Sequence, residues 1–315
     1  MLSRVRPPNA PLRCKLAAGF AALSLCAGSS ACGDDNSKHD AQGQELRPKT
    51  AQDPDEVFDA PTVEGLLGLL SRGHRSARRA LGRHRLSYTA DFSLRPPALP
   101  RPKPDEHPPI PQEVHDELLL EWAADNDREP ALHLRQGPKE VASRELIIIG
   151  KRIYSRLPYR GWLHRELDSE IHWTWLDDAE HSVHDLVAFA GPSLAISVAA
   201  SDEDRVTFDL SLAPSRTPTP AAEGLEAWRT GVDFSAIQGR VEVDREHGLW
   251  MHATIDVAFS LEDVEGRTLT GKATLNAERE LMPGLSVVPP ASSAPFPERI
   301  RYKEERRRLL DGLSR

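Results

Sequence analysis

Residues 249–261 read Leu-Trp-Met-His-Ala-Thr-Ile-Asp-Val-Ala-Phe-Ser-Leu, and residues 268–278 read Thr-Leu-Thr-Gly-Lys-Ala-Thr-Leu-Asn-Ala-Glu. In the first stretch Leu249, Met251, Ala253, Ile255, Val257, Phe259 and Leu261 alternate with Trp250, His252, Thr254, Asp256 and Ser260. In the second, Leu269, Gly271, Ala273, Leu275 and Ala277 alternate with Thr268, Thr270, Lys272, Thr274, Asn276 and Glu278. Successive side chains of a strand point to opposite faces, so a period of two gives each stretch one apolar and one polar face. A turn at Glu265-Gly266 joins them into a long hairpin, with Val241 and Val243 supplying a third strand.

The same period recurs upstream. Leu86, Tyr88, Ala90, Phe92 and Leu94 alternate with polar residues, and shorter runs occur at Leu118–Trp122, Leu132–Leu134, Leu146–Ile149, Ile171–Trp175, Leu194–Val198 and Val206–Leu212. Gly150-Lys151 separates Leu146–Ile149 from Arg152-Ile153-Tyr154, the spacing of a two-residue hairpin turn. Ten or eleven strands in adjacent runs predict a large antiparallel, meander-like sheet. Helical spacing is confined to two places. Val63, Leu66, Leu67, Leu70, His74, Ala77 and Leu81 form one stripe between an N-cap at Thr62 and Gly82, and a short helix is expected over 178–189, ended by Gly191-Pro192. The fold class is therefore mainly β with few helices: a large curved antiparallel sheet or half-barrel, lidded by an N-terminal helix and a short middle helix.

The flanks read differently. Arg4, Arg6, Arg13 and Lys15 precede the apolar run Leu16–Leu25, which is far short of the ~20 residues of a spanning helix, so residues 1–31 read as an export signal. All three cysteines, Cys14, Cys26 and Cys32, fall within the first 32 residues, so no disulfide can staple the remainder of the chain. Ser29-Ser30-Ala31-Cys32 resembles the small-residue junction of bacterial lipoprotein signals and makes Cys32 the lipid-attachment residue; Leu25 is too bulky for the same role before Cys26. Acyl chains on Cys32 anchor at about 0.8 kcal/mol per buried CH₂. Residues 32–62 read as a disordered tether, 63–282 as the sheet domain with a Pro-rich loop at 95–114, and 283–315 as a Pro-rich and basic tail. Arg72, Arg75, Arg78, Arg79, Arg83 and Arg85 give the N-terminal helix region a cationic face open to two readings: contact with anionic headgroups, or pairing with acids elsewhere in the protein.

The order of a lipoprotein signal, a Leu-rich helix running into Leu86–Leu94, the Ile147–Tyr154 hairpin and the closing long strands at 240–280 resembles the LolA/LolB-like superfamily of bacterial lipid-binding lipoproteins, including the mycobacterial lipid carriers. The resemblance covers roughly residues 63–281 and rests on pattern and order; the Pro-rich insertion after the first strand departs from it. It implies a half-open barrel holding acyl chains on an apolar concave face, with Tyr88, Phe92, Met251, Ile255, Val257 and Phe259 as inner-facing ligand-binding residues.

Little in the chain points to covalent chemistry. His181, His184, Glu180 and Asp185 form the best metal-like cluster, with His164, Glu166 and His172 as distant candidates, but neither the three or four convergent ligands of zinc nor the HExxH spacing is evident. There is no Gly-x-Ser-x-Gly elbow or phosphate-binding glycine loop, and no cysteine lies beyond Cys32. Trp162, Trp173, Trp175 and Trp250 line a ligand mouth or pack on strand faces. A formal charge of −8 across 315 residues gives no basic surface for nucleic acid. The expectation is a non-enzymatic, cofactor-free and metal-free lipoprotein of the bacterial cell envelope, facing periplasm or cell surface, that binds or carries an acyl-chain amphiphile. The alternative is an interaction or sensory lipoprotein with a closed sheet that contacts an envelope protein. The anchor reading predicts that Cys32→Ser releases the protein from membranes in a fractionation assay, whereas Cys26→Ser leaves it bound; the reverse pattern moves the anchor to Cys26.

Overall fold

The computed structural model describes residues 54–97, 111–124, 130–137, 143–157, 160–167, 176, 179–216, 231–263 and 266–296. Twelve strands form one open sheet in the order β12-β6-β5-β4-β3-β2-β1-β11-β10-β9-β8-β7. Their ranges are β1 His84–Arg95, β2 Gln112–Trp122, β3 Ala131–Gln136, β4 Arg144–Ile149, β5 Arg152–Arg156, β6 Leu163–Glu166, β7 Leu194–Ser201, β8 Arg205–Leu212, β9 Asp233–Asp244, β10 Trp250–Glu262, β11 Thr268–Leu281 and β12 Ala294–Pro295. Among the described residues four short α-helices accompany them: α1 Pro54–Asp59, α2 Val63–Leu70, α3 His74–Leu81 and α4 Ser182–Ala190. Among the described residues no helix is long and apolar enough to cross a membrane.

Two meanders, β1–β6 and β7–β11, meet where β1 pairs antiparallel with β11, and the two-residue β12 adds parallel to β6. The long hairpin forms as its alternation requires: β10 and β11 pair from His252↔Glu278 to Glu262↔Thr268, closed by Gly266 at φ 73° and by Asp263 Oδ1 accepting from the Arg267 N–H. Gly150, at φ 56°, takes the left-handed conformation the β4–β5 turn needs. Cross-strand partners carry the apolar residues to one side of the sheet, where Leu86, Leu120, Leu134, Leu146 and Ile153 continue the face begun by Ile255 and Leu275. That face and the buried apolar side chains of α1, α2 and α4 belong to one hydrophobic core.

Several boundaries differ from the sequence reading. The Thr62 cap forms, its Oγ accepting from the Gly65 N–H, but the predicted single helix is two, broken at Ser71–Gly73 where Arg72 turns inward to donate to the His247 carbonyl. Part of the expected tether is structured: α1 buries Val57 and Phe58, and Phe58 lies between the Phe208 ring, 6.4 Å away, and the Arg245 guanidinium at 5.3 Å. A six-residue helix offers too few turns for periodicity to reveal it. Strands extend through Arg95 and from Gln112, trimming both ends of the expected Pro-rich loop. The tail at 283–296 crosses to β6 as a strap, its Ala294 and Phe296 N–H groups donating to the Trp162 and His164 carbonyls. The expected strand at 171–175 and the basic segment at 299–313 lie outside the described residues.

The middle of the covered face is shallow. Ala253, Gly271, Ala273 and Ala277 are small, and α4 packs in the trough they leave along β10 and β11. Phe259 lies directly over Gly271, where a Cβ would overlap its ring. Phe189 of α4 then meets Phe259 edge-on, with centroids 5.2 Å apart. Gly271→Ala is therefore expected to destabilise the fold by about 1–3 kcal/mol, the usual range for overpacking, as read from the midpoint of chemical denaturation. An unchanged midpoint contradicts this packing.

Candidate functional site

Cys32 lies outside the described residues. Five of the six predicted ligand-binding residues face the helices. Tyr88, Phe92, Ile255, Val257 and Phe259 are all 7% exposed or less and share one core cluster. Their neighbours are the chain's own side chains: Phe92 and Phe259 lie 6.1 Å apart, and Phe234 completes the group at 5.0 Å from Phe189. Met251 is the exception. A register shift between Trp250 and His252 makes it the extra residue of a bulge, so it is half-exposed while Trp250, read from sequence on the polar face, is buried opposite Val243. Alternation cannot anticipate an inserted residue, which reverses the phase of everything before it.

Trp250 belongs to an arrangement that apolar patterning does not reveal. Arg279, in the apolar phase of β11, and Glu180, just before α4, form an ion pair in which neither side chain is exposed, and the Arg279 guanidinium stands 4.3 Å from the Trp250 ring centre. Burial depresses the Arg279 pKa, and the Glu180 charge opposes that shift. The pair ties α4 to the centre of the sheet. Of the metal-like grouping set aside on sequence, Glu180 is thus paired with Arg279, His184 Nδ1 sits 3.1 Å from Asp185, and His181 Nε2 is 3.2 Å from the Ser71 carbonyl. Among the described residues no three His, Cys, Asp or Glu are grouped to hold a metal ion. His164 faces Ser293 of the strap on the opposite side of the sheet, while His172, Trp173 and Trp175 lie outside the described residues.

The covered face has a polar rim at its β1–β4 end. Asp116 accepts from the Tyr88 hydroxyl at 3.0 Å and from Gln136 Nε2 at 2.9 Å, and Gln136 Oε1 accepts in turn from Arg144. Next to it Ala90 and Val114 are only half-buried.

On the outer face the strap borders an open cleft of about 470 Å³, lined by Glu121, His133, Glu145, Ile147, Trp162 and residues 286–292. Its polar floor is closed on itself. His133 lies between Glu121, at 3.4 Å, and Glu145, at 3.2 Å; Arg85 pairs with Glu121 and Arg156 with Glu145. Burial alone would raise the Glu145 pKa, but hydrogen bonds from Arg156 and His133 outweigh it and hold it below the usual range. Arg156 also covers the Trp162 ring at 5.1 Å. The arginines of the N-terminal helical region are similarly engaged: Arg72 with the His247 carbonyl, Arg78 over Trp122, Arg83 with the Leu285 carbonyl and Arg85 with Glu121. Four of the six cations are thus engaged within the molecule, and of these four Arg85 pairs with an acid as that reading expects.

No family model matches the chain, and no curated protein does. Among solved structures, Ail, the attachment invasion locus protein of Yersinia pestis, is 7% identical over 63% of this chain and 99% of its own, with a TM-score of 0.15. A protein described as AttH from Nitrosomonas europaea is 10% identical over 64% of this chain and 52% of its own, with a TM-score of 0.14. Scores this low establish no common fold.

Removing one member of a buried ion pair strands the other charge, at a typical cost of about 3–5 kcal/mol, whereas replacing both with apolar groups is often neutral. Arg279→Met should lower stability by that order, and Arg279→Met with Glu180→Leu should recover most of it in denaturation curves. Equal losses in the single and double variants contradict the pairing.

Proposed function

We propose that this chain is a lipid-anchored protein of the bacterial cell envelope whose β-sheet module works by contact with another protein surface. The observation that carries this reading is the seating of α4. The face that a carrier would offer to hydrocarbon is occupied by Val183, Leu186, Val187 and Phe189, each buried. Burial of each such side chain contributes roughly 1.5–3 kcal/mol, so displacing the four forfeits roughly 6–12 kcal/mol. An acyl chain of about 13 methylenes gains roughly 10 kcal/mol at about 0.8 per CH₂ and must also meet the association cost. The exchange gives no net advantage, and the helix keeps its place. The envelope address rests on Cys32 and the export signal, and the LolA/LolB-like resemblance on the order of elements.

Acyl-chain carriage is the second reading, and the polar rim favours it. Tyr88, Asp116, Gln136 and Arg144 sit beside half-buried Ala90 and Val114, the juxtaposition an amphiphile's headgroup and first methylenes would meet. Native mass spectrometry of protein extracted from membranes, with titration of a fluorescent fatty acid, separates the two. The contact reading expects no mass beyond that of the acylated chain or its oligomer, and no saturable probe uptake. A stoichiometric co-purifying lipid that Val114→Trp or Phe92→Trp expels would establish the carrier.

A further inference from the structure

We infer that the edge strand β7 pairs with β7 of a second copy of the chain, antiparallel about a two-fold axis at Ser197, so that one sheet runs through two molecules. This deepens the reading of the module as one that works by contact, and rests on it.

The two ends of the sheet are unlike. At one end the edge is a two-residue strand containing Pro295, which has no N–H to offer. Short length and proline are the devices by which edges resist further pairing. At the other end β7 runs for eight residues, Leu-Ala-Ile-Ser-Val-Ala-Ala-Ser, with neither a charge nor a proline, and Ser197–Ser201 are exposed. Among the described residues it pairs with β8 alone. Its one blunting feature is the bulge between Val198 and Ala200, which lies beyond the Ile196–Val198 segment.

Charge makes a second copy the fitting occupant. The nearest charges sit at its C-terminal end, where Arg245 donates to the Ser201 Oγ and Asp202 accepts from the Arg205 N–H in the turn to β8, and on β8 and β9, where Arg240 pairs with Asp209 at 2.9 Å and Arg205 with Glu242. A neutral edge therefore meets a neutral edge with no like charges opposed. The register comes from the apolar residues. Ile196, opposite Leu210, and Val198, opposite Phe208, point to the covered side of the sheet. A two-fold axis at Ser197 sets Ile196 of each copy against Val198 of the other, covering a Val198 that is 38% exposed in the single chain. Confinement of two anchored copies to one membrane plane raises their effective concentration and offsets the modest length of the contact.

The test uses the full chain. Sedimentation velocity in detergent is expected to give a dimer, and Val198→Lys or Ser197→Lys to weaken it roughly tenfold or more with the circular-dichroism spectrum unchanged. In intact membranes Ser197→Cys should form a disulfide-linked dimer on mild oxidation, above the wild-type background from the signal-region cysteines, since opposed residues hold their Cβ atoms about 4.5–5.5 Å apart. A monomeric wild type, a dimer indifferent to both lysines, or a Ser197→Cys adduct with a different protein overturns the inference. These outcomes leave lipid uptake and release by Cys32→Ser untouched, so failure of the β7 pairing is distinguishable from failure of the contact reading.

Discussion

Everything in this structure depends on how a broad, open sheet keeps one apolar face out of water. A single-layer sheet with alternating residues cannot stand alone; it needs a cover. The cover is assembled from pieces that are individually too short to be stable helices, six to nine residues each, so they exist because the sheet gives them a surface. α4 is the central piece. Glycine and alanine at 271, 273 and 277 hollow the sheet beneath it, and the Phe189–Phe259 contact fills the hollow. The small residues matter as much as the large ones, because a Leu at any of these positions would hold the helix away from the sheet.

The buried Arg279–Glu180 pair specifies where that cover sits. An apolar trough alone lets a helix slide, since dispersion and burial are not directional. One guanidinium on β11, facing one carboxylate before α4 and backed by the Trp250 ring, leaves a single position in which neither charge is stranded. The outer face uses charge differently. Glu121, His133, Glu145, Arg85 and Arg156 balance one another beneath the strap, so the cleft there carries polar groups whose hydrogen bonds and charges are already committed. Among the described strands, β7 is the long one whose second edge meets no other strand.

Much of this architecture is legible in the chain. The alternation through 253–261 and 268–278, the Gly150-Lys151 turn and the Thr62 cap each correspond to a local rule, and each appears where that rule puts it. The illegible parts need tertiary information. The bulge at Met251 reverses the phase of Trp250 without leaving a mark on composition. α1 and β12 are too short for periodicity, and the strap is Pro-rich enough to pass for a tail. The break at Ser71–Gly73 depends on Arg72 finding the His247 carbonyl, 175 residues away. The site was less legible than the fold because the residues proposed for hydrocarbon are the same ones a packed core would use: Phe92, Ile255, Val257 and Phe259 read identically whether their partner is foreign or Phe189. Only Gly271 and Ala273, in the apolar phase of a long strand, hint that something from the chain itself must come close.

Hydrogen exchange at the α4 backbone measures this seating directly. If the helix is a fixed part of the core, the amides of Ser182–Ala190 should exchange only as slowly as those of β10 and β11, through the same global opening, and lipid vesicles should leave that rate unchanged. Fast exchange confined to α4, or protection there that collapses when an acyl-chain amphiphile is added while the sheet stays protected, would mean that the helix is a lid over a hydrocarbon site, and would contradict a permanently covered sheet.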